Sequence, residues 1–201
     1  MKIGIIGGSF DPIHFGHLIM AEFLREYKNL EKIIFVPTGN APHKKYRIPG
    51  EKRIKMVDLA IEANSYFASS NVELINENVS YTVDTIKYLR NICPDPEFYF
   101  IIGLDNLFEL DTWNNPEDLS QVTKFIVANR ISNNRKKSDA IEKCQELNKR
   151  FGFDIELVDT PIIEISSSEI RNRIDKGLSI KYLTLDSVIE YIVENELYKS
   201  E

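Results

Sequence analysis

Apolar residues fall along this chain in two alternating rhythms. Short runs rich in Ile, Val, Phe and Tyr stand at Lys2–Ile6, Lys32–Val36, Asn71–Ile75, Glu97–Ile102, Lys124–Ala128 and Asp154–Val158. Their length and composition predict strands buried on both faces. Between them, apolar positions recur at helical spacing. His17–Tyr27 aligns Met20, Leu24 and Tyr27; Glu51–Ala63 aligns Ile54, Val57 and Ile61; Thr82–Arg90 aligns Val83, Ile86 and Leu89; Ser138–Phe151 aligns Ile141, Cys144, Leu147 and Phe151. Each set covers one face of a helix. Strand and helix in alternation predict an α/β fold on a doubly wound parallel sheet.

The rhythm changes near residue 163. Ser166–Lys176 and Thr184–Glu194 are consecutive helix patterns with no strand between them, and Gly177 is placed to stop the first. The chain therefore divides into a sheet core over 1–163 and a small C-terminal helical appendage over 164–201, together one domain of 1–201. The polar stretch Asn129–Lys137 (NRISNNRKK) is expected to be an exposed loop with a solvated basic cluster.

Composition adds limits rather than a function. The 201 residues are 43% hydrophobic and 28% charged, an ordinary globular mixture. A net charge of −6 argues against a nucleic-acid partner, which calls for many phosphate contacts from a basic surface. A negative chain that handles anions must gather its cations in one cleft. Two distant cysteines, Cys93 and Cys144, suit neither a disulfide framework nor a zinc site. No apolar run approaches the roughly 20 residues that span a bilayer, and the N-terminal apolar stretch is too short for a signal peptide. The expectation is a cytoplasmic protein with no membrane partner. A homo-oligomer is compatible with everything in the pattern.

Candidate chemistry begins where the first strand ends, at Gly7-Gly8-Ser9-Phe10-Asp11-Pro12-Ile13-His14-Phe15-Gly16-His17. Glycines between a buried strand and a helix let backbone approach a ligand closely, and a helix N-terminus presents free N–H groups to phosphate. His14 and His17, three residues apart, are placed to share one pocket and donate to a phosphate whose charge grows during reaction. The glycines fit neither G-x-G-x-x-G nor a Walker loop. Zinc binding would need further ligands that are not nearby. Near the other end, Ser166 and Glu169 have capping-box spacing. Arg171 then falls in the first turn, where a cation opposes the helix dipole unless an anion binds there.

The segment from Gly7 to His17 resembles the HxGH signature of the nucleotidyltransferase superfamily, and Ile165-Ser166-Ser167-Ser168-Glu169-Ile170-Arg171 resembles its second signature, I-S-S-[ST]-x-I-R. Pro37–Lys44 resembles the P-x-x-x-x-P-H-K segment of bacterial nicotinate mononucleotide adenylyltransferases. Ser80–Thr85 resembles their S-Y-T-x-D-T, Ile101–Asp105 their I-I-G-x-D turn, and Leu110–Trp113 their L-x-x-W. The chain departs from many of them at Asn114, where they carry tyrosine.

The resemblance implies a Rossmann-like nucleotidyltransferase fold and transfer of AMP from ATP to nicotinate mononucleotide. It implies catalytic roles for His14, His17, Lys44 and Arg171. ATP and its phosphates would meet Gly7, Gly8, Ser9, Phe10, Gly103, Asp105, Ile165, Ser166, Ser167 and Ser168. The mononucleotide would meet Asn40, His43, Tyr81, Thr82 and Thr85, with Trp113 stacked on the pyridine ring. Mg²⁺ would accompany ATP on its phosphate oxygens, with no protein ligand of its own. Phosphopantetheine or nicotinamide mononucleotide as acceptor, or a nucleotide sensor without turnover, are the rival readings.

Overall fold

The computed structural model describes residues 1–40, 46–75, 79–130 and 137–199. Its centre is a six-stranded sheet of β1 (Lys2–Gly8), β2 (Lys32–Pro37), β3 (Phe67–Ser69), β4 (Glu97–Gly103), β5 (Lys124–Arg130) and β6 (Ile155–Thr160). All neighbours pair in parallel, in the order β3-β2-β1-β4-β5-β6. The chain winds outward from β1 in one direction and from β4 in the other. The crevice between the carboxyl ends of β1 and β4 is therefore the switch point, where sheets of this kind take up ligands.

Among the described residues, eight α-helices flank the sheet: α1 (Phe15–Lys28), α2 (Gly50–Ile61), α3 (Thr82–Ile92), α4 (Leu104–Glu109), α5 (Pro116–Val122), α6 (Lys137–Phe151), α7 (Ser167–Asp175) and α8 (Asp186–Glu194). Successive strand residues point to opposite faces, and so build two cores. Ile3, Ile5, Phe98, Phe100, Ile102 and Phe125 pack against helices α3 to α6. Ile6, Ile33, Tyr99, Ile101 and Ile126 pack against α1, α2, α7 and α8. The two C-terminal helices thus lie on the face that also carries α1.

The doubly wound parallel sheet matches the expectation from the apolar pattern, with differences in detail. Asn71–Ile75 is not a strand: the Asn71 carbonyl accepts from the N–H groups of Leu74 and Ile75 at 2.8 and 3.2 Å, which closes a helical turn. The strand beside β2 is instead Phe67–Ser69, too short to show a period. Helices α4 and α5, six and seven residues long, lie below the length at which helical spacing stands out. Finally, α2 buries Val57 and Ile61 as expected, but its buried face extends to one side. Arg53, Met56 and Ala60 are buried beside them and Ile54 is only half-buried, because an arginine takes an interior position. Tyr27 and Ile141, expected on buried helix faces, are 52% and 44% exposed. No described helix is long and apolar enough to cross a membrane.

Candidate active site

Between β1 and α1 the chain makes a tight, buried loop. Phe10 has φ 46°, a left-handed conformation unusual for an aromatic residue, and its packing holds it there. The ring is 1% exposed and meets His17 and Phe35 edge-on, at centroid distances of 5.1 and 5.7 Å. A Cβ on Gly8 would stand 2.9 Å from the Phe10 ring, so glycine is what lets the ring lie over the strand end.

The two histidines come together as the sequence spacing predicts. His14 is the N-cap of α1 and is buried, and the imidazoles of His14 and His17 lie 3.7 Å apart between centroids, tilted by 30°. The His14 backbone N–H donates to His17 Nδ1 at 3.3 Å. A neutral His17 then carries its proton on Nε2. Gly16 has its own steric reason, since a Cβ there would sit 3.0 Å from His14 Nδ1.

Three successive loop carbonyls are taken by side chains from the C-terminal region. Arg171 Nη1 donates to the Asp11 carbonyl at 2.6 Å, the Ser167 hydroxyl to that of Pro12 at 2.8 Å, and the Thr184 hydroxyl to that of Ile13 at 2.9 Å. The Asp11 carboxylate, 4% exposed, accepts from the Tyr198 hydroxyl at 2.7 Å and the Arg47 N–H at 2.9 Å. Burial first, and then the Asp11 charge, push the Tyr198 phenol up, so it stays a donor at every ordinary pH. Helix α7 begins at Ser167 as its capping spacing predicts: Ser166 Oγ accepts from the Glu169 N–H at 3.1 Å. Arg171 also reaches Ser168 Oγ at 3.1 Å, so that signature is gathered at the β1–α1 loop. The Ile165 side chain packs partly against the core beside it.

On the other side of β1 lies a cavity of about 420 Å³, bounded by Gly7, Thr38, Glu73, Thr82, Phe100 and Trp113 among others. Trp113 stands edge-on to Phe100 at 6.1 Å and lines the space with its indole. Tyr81 and Thr82 lie at the start of α3 and also line it. Thr85 does not. It is buried, and its hydroxyl donates to Glu73 Oε1 at 2.8 Å. Glu73 Oε2 accepts from the Gly39 N–H at 3.1 Å, and the Asn40 carbonyl accepts from the Ser80 N–H at 3.1 Å. These bonds tie the β2 exit to the start of α3. Gly103 caps α4 with open space where a Cβ would be, which leaves its backbone approachable, and Asp105 is exposed in the next turn. Asn106, rather than Asp105, borders the cavity. His43, Lys44 and residues 131–136 lie outside the described residues, while Asn129 and Arg130, expected in an exposed loop, end β5, and Lys137 opens α6.

Four residues that sequence reasoning passed over shape this site: Asp11, Arg53, Glu73 and Tyr198. Arg53 is 2% exposed and donates to the Ser9 and Thr38 carbonyls, both at 2.8 Å, with its guanidinium 4.0 Å from the Tyr46 ring. Burial lowers its pKa, and Tyr46, Asp11 and Glu73 oppose that shift. A charged residue on an otherwise apolar helix face was the available signal.

Comparison with known proteins gives a consistent picture. The model of the cytidylyltransferase-like family matches residues 5–173. A Lachnoclostridium phytofermentans protein named "Probable nicotinate-nucleotide adenylyltransferase" is 40% identical over 199 residues, 98% of each chain. A Desulfitobacterium hafniense protein of the same name is 42% identical over 204 residues, covering 98% of this chain and 96% of its own. Plasmodium falciparum nicotinic acid mononucleotide adenylyltransferase complexed with NaAD superposes with a TM-score of 0.79, at 24% identity, over 98% of this chain and 97% of that one. At that identity the likeness is one of fold.

Proposed function

This chain belongs to the cytidylyltransferase-like family, among the nicotinate-nucleotide adenylyltransferases, and from that membership we propose that it transfers AMP from ATP to nicotinate mononucleotide in NAD biosynthesis. The observation that carries the reading is the buried β1–α1 loop at the switch point, with its two imidazoles in contact and Arg171 anchored beside them. An oxygen of the mononucleotide phosphate attacks the α-phosphorus of ATP in line. The bond from that phosphorus to the β-phosphate bridging oxygen breaks, leaving deamido-NAD and pyrophosphate. The attacking phosphate is already anionic near neutral pH, so the protein's task is placement and charge stabilisation.

In this reading His14, His17, Lys44 and Arg171 meet the triphosphate and the departing pyrophosphate. The Ser9 and Phe10 N–H groups meet the phosphates where they react, while Gly103 and Asp105 serve the adenosine side. Tyr81, Thr82 and the first turn of α3 face the nicotinate carboxylate, with Trp113 against the ring. The cavity they line supports that placement. A magnesium ion would enter with the substrate, carried on the ATP phosphates, where it offsets their charge.

The test is pyrophosphate release from ATP and Mg²⁺ with nicotinate or nicotinamide mononucleotide as acceptor. Fast release with the acid and slow release with the amide is expected. Equal rates would remove the carboxylate role of the α3 start, and no release with either would remove the proposed reaction. A His17→Ala variant is expected to lose about 10²-fold in kcat, as for loss of one transition-state donor.

A further inference from the structure

Arg53 is an anomaly for a core position. It stands on the inner face of α2 with Met56, Val57 and Ala60, where an aliphatic side chain would fill the space without the cost of desolvating a charge. Its partners identify what it does there. Nη1 and Nη2 are directed to two carbonyls, those of Ser9 and Thr38, which end the two neighbouring strands on the ligand side of the sheet. A trans peptide points its N–H opposite its C=O. Holding the Thr38 carbonyl therefore sends the Gly39 N–H the other way, and that N–H does donate to a carboxylate, Glu73 Oε2, at 3.1 Å. Holding the Ser9 carbonyl likewise sends the Phe10 N–H away from the Arg53 guanidinium. Guanidinium, carbonyl and amide then stand in series. A buried cation at one end of such a chain polarises each peptide and strengthens the donor at the other end.

We propose that Arg53 is a positioning residue for phosphate binding: its two-pronged grip on the Ser9 and Thr38 carbonyls orients and polarises the Ser9–Phe10 peptide so that the Phe10 N–H meets a substrate phosphate. Arg53 acts through those peptides and touches no reacting atom. The inference rests on the functional reading above and adds to it a residue from outside the sequence signatures.

Full-length Arg53→Lys and Arg53→Met are compared with the wild type in three measurements. These are kcat and each KM with Mg²⁺-ATP and nicotinate mononucleotide, the urea unfolding midpoint, and the Phe10 amide proton shift in ¹⁵N-phenylalanine-labelled protein on adding pyrophosphate alone. Lysine keeps the charge but has no fork to hold two carbonyls. Arg53→Lys is expected to lower kcat by about 10- to 100-fold, the range for a weakened phosphate donor, with KM for nicotinate mononucleotide changed less than about threefold. In the same variant the Phe10 shift on pyrophosphate is expected to shrink. Unchanged kcat and an unchanged Phe10 shift in a folded Arg53→Lys would overturn the proposal. Should neither variant fold, Arg53→Gln, which keeps an uncharged amide donor, takes their place: a reduced Phe10 shift with pyrophosphate relative to the wild type supports the proposal, and an unchanged shift, or a wild-type resonance that does not move, rejects it. Because pyrophosphate alone is the probe, that result stands apart from the acceptor. Wild-type protein without turnover on nicotinate mononucleotide, but with a moving Phe10 resonance, would refute the assigned reaction and leave the grip in place.

Discussion

Gly8 and Gly16 meet their neighbours so closely that single methyl groups serve as probes. A Cβ at Gly8 would press on the Phe10 ring at 2.9 Å. Gly8→Ala is expected to cost about 1–3 kcal/mol of stability, as overpacking does, and to lower kcat because Phe10 carries a proposed phosphate donor. A Cβ at Gly16 would instead push the His14 imidazole from 3.0 Å away. Gly16→Ala is expected to reduce kcat about 10-fold or more at small cost in urea midpoint, because a displaced donor costs rate before it costs folding. Steady-state kinetics beside urea titration separates the two outcomes. The histidines were legible in the sequence because glycine, histidine and a helix start fall within a few residues of one another. Asp11, Arg53 and Tyr198 were not. Asp11 and Tyr198 meet across 187 residues, and Arg53 acts on carbonyls, which every residue possesses.

Helix α7 shows what a local signal fixes. Ser166 and Glu169 announce a start, and the helix begins where they place it, with Ser166 Oγ as the cap. Ser166→Ala is expected to destabilise the protein by about 1 kcal/mol, the usual worth of such a cap. The decrease shows as a lower urea midpoint with an unchanged m value. The longer strands were readable for a similar reason: burial on both faces writes an apolar run. Asn71–Ile75 carries the same composition, yet its backbone closes on itself through Asn71. Apolar content alone does not distinguish a short strand from a half-buried turn. The start of α3 was legible, whereas the turn of Thr85 toward Glu73 was not, because it depends on where the β2 exit lies in space.

The whole molecule adds electrostatics that no element holds alone. A chain of net charge −6 repels a triphosphate as a whole, so the proposed reaction requires cations gathered in one cleft to draw it in. KM for Mg²⁺-ATP is therefore expected to rise as salt is raised from about 50 to 500 mM, since screening shortens with ionic strength. A flat salt profile would place the cations too far from the nucleotide. At the alkaline end, burial raises the phenols of Tyr198, Tyr99 and Tyr46, Tyr99 to about 12. The unfolded chain releases those protons from about pH 10 upward, while the folded chain keeps them, so stability is complete below that pH and falls above it. Each suppressed tyrosine steepens the loss by up to about 1.4 kcal/mol per pH unit. Tyr198→Phe is expected to flatten the fall between pH 10 and 11.5 in urea midpoints, while lowering stability at pH 7 by about 1–3 kcal/mol through the bond lost to buried Asp11. Strand order could not be read from the apolar pattern, which gives the class of sheet and leaves the sequence of neighbours to crossover geometry. The bonds that fasten residues 11 to 13 to Ser167, Arg171, Thr184 and Tyr198 also set a schedule for synthesis. A ribosome makes the loop first and its fasteners 155 to 187 residues later. A translation product cut short before Ser167 carries both histidines and all six strands of the sheet but none of those fasteners. Such fragments are expected to lack the proposed transfer from ATP, with competence arriving only in the last stretch of the chain's own production.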